Sequence, residues 1–291
     1  MRSDDVRRGA LFGGLAGVCV AGCVAFFAGR MSALPGPVPR EVTPDPSSAV
    51  PAAPPSAPSS APLPPLNSFP EVSFAQQGED LIIKQIFGEL GIANATYIDI
   101  GAHDPIRGNN TYLFYALGSH GVLVEPNPVY AEKLGRVRPR DTVIAKGVGV
   151  TQETSADYFD FGEDGQENTF SKSQADELVR LGMKLQHVTK MPLVGINEVL
   201  GESFASAAPS LVSIDTEGLD LAILRTLDFA RFRPAVICAE TLEMGTNRVI
   251  GEIADFLRSK HYAQRGGTFV NTIFVAEERL TKDADGGRAI H

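Results

Sequence analysis

Three cysteines in 291 residues leave no disulfide framework to read. Cys19 and Cys23 lie in an apolar N-terminal run and Cys238 in a predicted buried strand; no C-x-x-C pair stands anywhere. With five histidines as well, the chain is poor in zinc ligands. Basic residues are outnumbered, 26 Lys and Arg against 35 Asp and Glu, for a net charge of −9. No Lys or Arg stripe relieves that balance, which argues against nucleic acid as a partner. The three-glycine fingerprint G-x-G-x-x-G of a dinucleotide site is missing. There are no internal repeats. What the chain does have is a set of acids at the ends of short apolar runs.

The N-terminus comes first. Arg2, Arg7 and Arg8 stand against Asp4 and Asp5 in residues 1–10. Residues 11–29 follow without a charge, long enough for a single-pass membrane helix, since about 20 apolar residues cross a bilayer core. A cleaved signal peptide is the rival reading, but its apolar part is shorter and no A-x-A site is present. Val20-Ala21-Gly22-Cys23 resembles a lipoprotein cleavage box, yet the apolar run continues past Cys23. A start at Met31 is the third reading. Residues 30–70 form a linker, expected to be disordered. Between Ser32 and Pro70 it holds 13 of the chain's 20 prolines, and such sequence stays extended and builds no core. From residue 71 the composition is globular, up to a polar tail over 281–291.

The globular part is organised around Ala95–Asn110, ATYIDIGAHDPIRGNN. Tyr97–Ile100 reads as a strand, Gly101-Ala102 as a turn, and Thr111–Leu117 as a helix. A strand, glycine turn and helix make the nucleoside-binding corner of a doubly wound α/β sheet. Gly101 lets the backbone bend and lets a ligand lie against it. One glycine alone is weak support, and a plain turn is the competing reading. A second strand, Gly121–Val124, ends in Glu125, 26 positions after Asp99. That spacing is near the ~20 residues at which an acid meets ribose hydroxyls.

Around this corner the spacing predicts a helix over 79–90, with Glu79 and Asp80 where the helix dipole favours acids. A third strand is expected at 142–145, extended pieces at 157–161 and 188–191, and helices at 171–181, 196–200 and 247–260. Core strands are expected at 211–214 and 235–239, the first followed by a helix over 219–227. A final strand pair begins at Tyr262 and ends at 272–276. Asp99, Glu125, Asp215, Glu217 and Glu240 then fall at the carboxyl ends of four parallel strands, in one crevice. Singly, such acids are often helix caps. As a row they suit a polyhydroxylated or cationic ligand. Asp215, Glu217 and Glu240 also offer oxygen ligands of the kind magnesium takes, although no residue is assigned to a metal.

Several motifs, in order, resemble those of the FkbM family of S-adenosylmethionine-dependent methyltransferases. They are QQGED at 76–80, YIDIGAHDP at 97–105, NNTYLFYALGSHGVLVEPNP at 109–128, RPRD at 138–141 and LVSIDTEGLDLAIL at 211–224, with weaker support from RPAVICAE at 233–240. The resemblance spans roughly residues 74–276 and leaves out the anchor and linker. It implies a class I methyltransferase, Rossmann-like sheet of seven mostly parallel strands with the last one antiparallel. It implies S-adenosyl-L-methionine as cofactor and transfer to a hydroxyl of a small-molecule or glycan acceptor. Carried over by position, Asp99, Gly101 and Ala102 border the methionine and ribose, Asn110 and Thr111 face the methionine end, and Glu125 takes the ribose hydroxyls. Asp215 stands beside the sulfonium and is the first candidate base, with His103 the second. Asn110 also reads as a helix N-cap, and His103 as an ordinary loop histidine. Two other readings stay open: a membrane-anchored, non-catalytic nucleoside- or glycan-binding module, and a nicotinamide oxidoreductase. The extra Arg before Leu11 places the domain outside the cytosol by the positive-inside rule, whereas the methyl donor is expected inside.

Overall fold

The computed structural model describes residues 71–162, 165–205, 207–242 and 248–280. The expected anchor at 11–29, linker at 30–70 and tail at 281–291 lie outside them. Among the described residues no helix is long and apolar enough to cross a membrane.

The chain runs α1 (Glu79–Glu89), β1 (Thr96–Ile100), α2 (Tyr112–Ala116), β2 (His120–Val124), α3 (Pro128–Val137), β3 (Thr142–Ile144), β4 (Gly147–Gly149) and β5 (Ser155–Asp160). It continues through α4 (Lys172–Arg180), β6 (His187–Gly195), α5 (Ile196–Phe204), β7 (Leu211–Ile214), α6 (Asp220–Thr226) and β8 (Val236–Glu240). It closes with α7 (Gly251–Ser259), β9 (Tyr262–Gly267), β10 (Asn271–Ala276) and α8 (Glu277–Leu280).

Seven strands form the main sheet in the order β3-β2-β1-β7-β8-β10-β9. The pairs from β3 to β8 are parallel, and β10 is antiparallel to both its neighbours. This is the seven-stranded, mostly parallel sheet that the resemblance implied, last strand reversed. The central strands are apolar almost throughout because helices cover both faces. Alternate residues divide them. Ile98, Ile100, Val122, Val124, Val212, Ile214, Ile237 and Ala239 pack with Val199, Ile223 and Leu257 of α5, α6 and α7. Tyr97, Leu123, Leu211, Val236, Cys238, Ile273 and Val275 pack with Ile83 and Phe87 of α1, Phe114 of α2 and Leu134 of α3. By the two-residue period of a strand, Asp99, Ser213, Glu240 and Asn271 belong to the second face.

The order reverses between β1 and β7, so the crevice at the carboxyl ends opens there. A second sheet, β4-β6-β5, stands outside the main one. The extended piece expected near 157–161 is its β5, paired antiparallel along its whole length with His187–Pro192 of β6. Alternation within β5 showed a strand but not its partner. The helix expected over 247–260 is shorter, Gly251–Ser259; residues 243–247 are not described.

Candidate active site

The floor of the crevice is set at Gly101. Its φ is 81°, a left-handed conformation that side chains disfavour. A Cβ there would lie 1.8 Å from the backbone oxygen of Asp215. The open side that the sequence reading reserved for a ligand is therefore filled by Asp215 itself. The Asp215 N–H in turn donates to Ile100 O at 3.0 Å. The carboxyl end of β7 is thus pressed onto the turn after β1.

On the β1–β2 side every acid has donors. Glu125 is 4% exposed. Its Oε2 accepts the His103 N–H at 2.8 Å and its Oε1 the Asn127 N–H at 2.8 Å. Burial pushes this carboxyl up to about 7, against those two bonds. One backbone donor on each oxygen leaves each a further lone pair. Asp99 Oδ2 accepts from Thr111 Oγ1 at 2.7 Å and Asn109 Nδ2 at 3.2 Å. Burial raises its pKa, with the Arg138 charge opposing.

Beneath lies Arg138, fully buried. Its Nε pairs with Asp141 Oδ2 at 2.8 Å. Its other nitrogens donate to Asn109 Oδ1 at 2.9 Å, Thr111 Oγ1 at 2.9 Å and the Tyr97 hydroxyl at 3.0 Å. One guanidinium thus fixes the two side chains that hold Asp99. A buried charge is tolerable only when it is paired and hydrogen-bonded in this way.

The β7–β8 side differs. Asp215, Glu217 and Glu240 are half-buried and each offers a carboxylate oxygen within 4.8 Å of the others. Burial raises all three pKa values, and repulsion from neighbouring acids, Asp220 in each case among them, adds to it. Asp215 and Glu240 stand next to each other, so that ionising one disfavours ionising the other. Glu217 reaches the cluster from a left-handed backbone, φ 52°, unusual outside glycine. Thr169 Oγ1 anchors that turn through Glu217 O at 2.8 Å.

The structure sorts the predicted residues as follows. Asp99, Glu125, Asp215, Glu217 and Glu240 share the crevice end of the sheet. Asn110 stands over β7 and β8: its Nδ2 donates to Ser213 Oγ at 3.3 Å, with Cys238 Sγ at 3.8 Å. It does not cap α2, whose N-cap is Thr111, itself making no side-chain capping bond. Asn110 Oδ1 is buried without a donor. Thr111 is 0% exposed, donates to Asp99 and accepts from Arg138. Ala102 packs in the core under α1, its carbonyl taken by Asn109 at 3.0 Å. His103 keeps to the Glu125 side, its ring 4.0 Å from that of Tyr130.

Sequence reasoning missed Arg138, Asn109 and Asp141. RPRD marked the place, but no spacing shows that an Arg is fully buried. It also read Glu79 and Asp80 as dipole partners only. Both are fully buried. Asp80 binds Ser73 Oγ and Phe74 N–H, while Glu79 binds Thr268 Oγ1 at 2.6 Å and Asn271 Nδ2 at 3.0 Å.

An acid held ready for two hydroxyls, a glycine turn at the switch point and an unmatched amide oxygen fit a nucleoside with a cationic arm. Fold and site together define a nucleoside-dependent group transferase of the methyltransferase type. The Methyltransferase FkbM domain profile matches residues 99–263, more than half of the chain. The chain belongs to that family, and S-adenosylmethionine is its methyl donor. This sets aside the nicotinamide reading. No curated protein sequence matches the chain. Among solved structures it is similar to a TehB-like SAM-dependent methyltransferase from Corynebacterium glutamicum, with 8% identity, TM-score 0.38, and coverage of 69% of this chain and 88% of that one. It is also similar to an O-methyltransferase from Bacillus cereus in complex with SAH, at 11% identity, TM-score 0.35, covering 70% and 82%. A third is the 1,6-didemethyltoxoflavin-N1-methyltransferase of Burkholderia thailandensis, at 13% identity, TM-score 0.36, covering 69% and 78%.

Proposed function

We propose that the protein is an O-methyltransferase acting on a hydroxyl of a sugar, glycan or other secondary metabolite. The observation that carries this reading is the backbone contact of Asp215 with Gly101, which brings the acid-bearing end of β7 up to the turn after β1. S-adenosylmethionine, when bound, supplies an electrophilic methyl carbon on a sulfonium. Glu125 holds the ribose hydroxyls with its free lone pairs. Asn110 turns its amide oxygen to the cationic arm. Asp215 accepts the proton of the acceptor hydroxyl as the new C–O bond forms and the C–S bond breaks. A raised pKa makes that carboxylate a better base than an ordinary one. Alignment of oxygen, carbon and sulfur supplies much of the remaining rate.

The insertion from β5 to β6 shapes the acceptor side. Asn168 and Tyr158 lie on its Glu125 flank, Thr169 and Gln174 on its Glu217 flank. We further place the protein at a membrane through residues 11–29. Flanking charge favours a domain outside the cytosol and the methyl donor one inside; protease protection on intact membranes decides between them. Mass spectrometry of a deletion strain against its parent tests the reaction. A product lacking one CH2 in the deletion strain supports it. Purified full-length protein that moves no labelled methyl to an extract of the deletion strain is instead a binding module.

A further inference from the structure

We infer that Asn168, from the insertion between β5 and β6, reads the adenine ring of the methyl donor, its side-chain NH2 donating to one ring nitrogen. The placement rests on Glu125 holding the ribose hydroxyls, as proposed above, and not on which atom is methylated. The base is joined to the sugar carbon next to the one that bears the 2′-hydroxyl. A ribose seated on Glu125 therefore carries its base into the space beside that carboxylate. The free ring nitrogens of adenine are acceptors, so a protein that reads them must bring a donor there.

Asn168 brings one. Among the described residues four buried side-chain atoms lack a hydrogen-bond partner, and Asn168 Nδ2 is the only nitrogen. The residue is 7% exposed. Its amide cannot be turned over, because the Phe161 N–H needs Oδ1 as its acceptor at 2.8 Å. The backbone is fixed from both sides. The Asn168 N–H donates to Gly165 O at 3.4 Å, and the next residue, Thr169, is bridged to Phe159 of β5 by bonds of 2.9 and 3.2 Å. A donor buried and held in this way is costly unless something accepts from it. The Tyr158 hydroxyl lies near the amide without reaching hydrogen-bond geometry.

The surroundings set that NH2 beside the ribose acid. Tyr158 stands close enough to Glu125 to feel its charge, and close to Tyr130 as well as to Asn168. A Cβ on Gly165 would lie 3.2 Å from Asn168 Nδ2, 3.2 Å from Tyr130 Cε2 and 3.4 Å from Asn127 Nδ2. The two amide groups thus border one spot, which the glycine leaves without a side chain. Asn127 is tied to Glu125 by its own N–H at 2.8 Å, and its Oδ1 is taken by the Val129 N–H at 3.0 Å, so its NH2 is a second donor there. Two NH2 groups beside aromatic rings suit a flat ring whose edge carries acceptors. The main sheet holds the sugar and the insertion reads the base.

The test is calorimetry of the full-length protein with S-adenosylhomocysteine and its 1-deaza, 3-deaza and 7-deaza analogues, in each of which one ring nitrogen becomes a C–H. One analogue should bind the unmodified protein about 10-fold or more weakly than S-adenosylhomocysteine, the size of one lost bond to a buried donor. Asn168→Asp keeps the acceptor for Phe161 and loses the NH2, whereas Asn168→Ala loses both. Each should weaken S-adenosylhomocysteine about 10-fold or more and bring that analogue to within about 2-fold of it. Two variants are used so that one failing to fold still leaves the other to decide. Equal binding of all four ligands by the unmodified protein overturns the assignment with no variant needed. A variant that weakens all four alike overturns it too, since a merely structural role predicts that. Glu125→Gln should weaken all four alike, because all carry the ribose. If it weakens none, the ribose reading fails while the comparison of ring analogues still decides Asn168. No methyl transfer is read, so the choice of acceptor hydroxyl is not at stake.

Discussion

The two halves of the crevice use the same side chain in opposite ways. On the β1–β2 side, Asp99 and Glu125 are each surrounded by donors fixed in advance. On the β7–β8 side, Asp215, Glu217 and Glu240 crowd one another, and burial and neighbouring negative charge raise the pKa of each. Satisfied acids are rigid receptors: they hold a shape and wait for hydroxyls. Crowded acids hold their protons to higher pH, because ionising one raises the cost of ionising the next. On the proposed reading the sheet edge would separate holding from chemistry across the switch point, with the backbone of Asp215 against Gly101 as the seam.

The largest effect that sharpens this contrast is at Asp215. Asp215→Asn should lower methyl transfer about 10²–10⁴-fold, the range for a lost general base. S-adenosylhomocysteine affinity, measured by calorimetry, should stay within about 2-fold, since the cofactor is held from the other half. Turnover that survives the substitution removes Asp215 as the base and leaves His103 as the candidate.

Next comes the support under the receptor half. Arg138→Met should destabilise the protein by about 3–5 kcal/mol in urea unfolding, because Asp141 is left buried and unpaired. Asn109 and Thr111 lose the same donor. A loss below 1 kcal/mol would mean that water replaces the guanidinium and that the receptor half is not rigid.

These two residues also show why the sequence was legible only in part. Asp215 could be found because it ends an apolar run, and in a parallel sheet the ends of such runs converge. The same logic gave the row of acids, while the order of the strands across the sheet came only with the structure. Arg138 could not be found that way. It sits at the C-cap of α3, where a basic residue reads as solvent-exposed and dipole-complementing. Its burial depends on Tyr97, Asn109, Thr111 and Asp141 closing around it, from segments up to 41 residues away. The reading of Asn110 as a cap failed for a similar reason: local sequence gave its side chain a helix terminus to serve, and long-range partners on β7 and β8 took it instead. The β4-β6-β5 sheet was half-seen because alternation reveals a strand and not its neighbour.

Glu125 offers a smaller and more specific test. In Glu125→Gln one carboxylate oxygen becomes an NH2 facing a backbone N–H, either His103 or Asn127. Cofactor hydroxyls also lose a charged acceptor. Affinity for S-adenosylhomocysteine should fall about 10- to 100-fold, the equivalent of one or two charge-assisted bonds. If affinity is unchanged, the ribose does not sit on Glu125 and the receptor half has been misread.

The smallest effect is the pH dependence of that same residue. With its folded pKa raised to about 7 from the ordinary 4.5, Glu125 contributes stability that is fully present below pH 4.5 and is lost as pH rises through 7. Bound hydroxyls reverse the preference, since they donate to the carboxylate and not to its protonated form. The rise in melting temperature caused by S-adenosylhomocysteine should therefore grow between about pH 6 and 8 and level off above. Crowded acids on the other half also titrate, so the comparison must be with Glu125→Gln, in which the Glu125 share of the slope is absent. Parallel slopes in the two proteins would move the titrating group to the β7–β8 side and erase the division between a half that holds and a half that reacts.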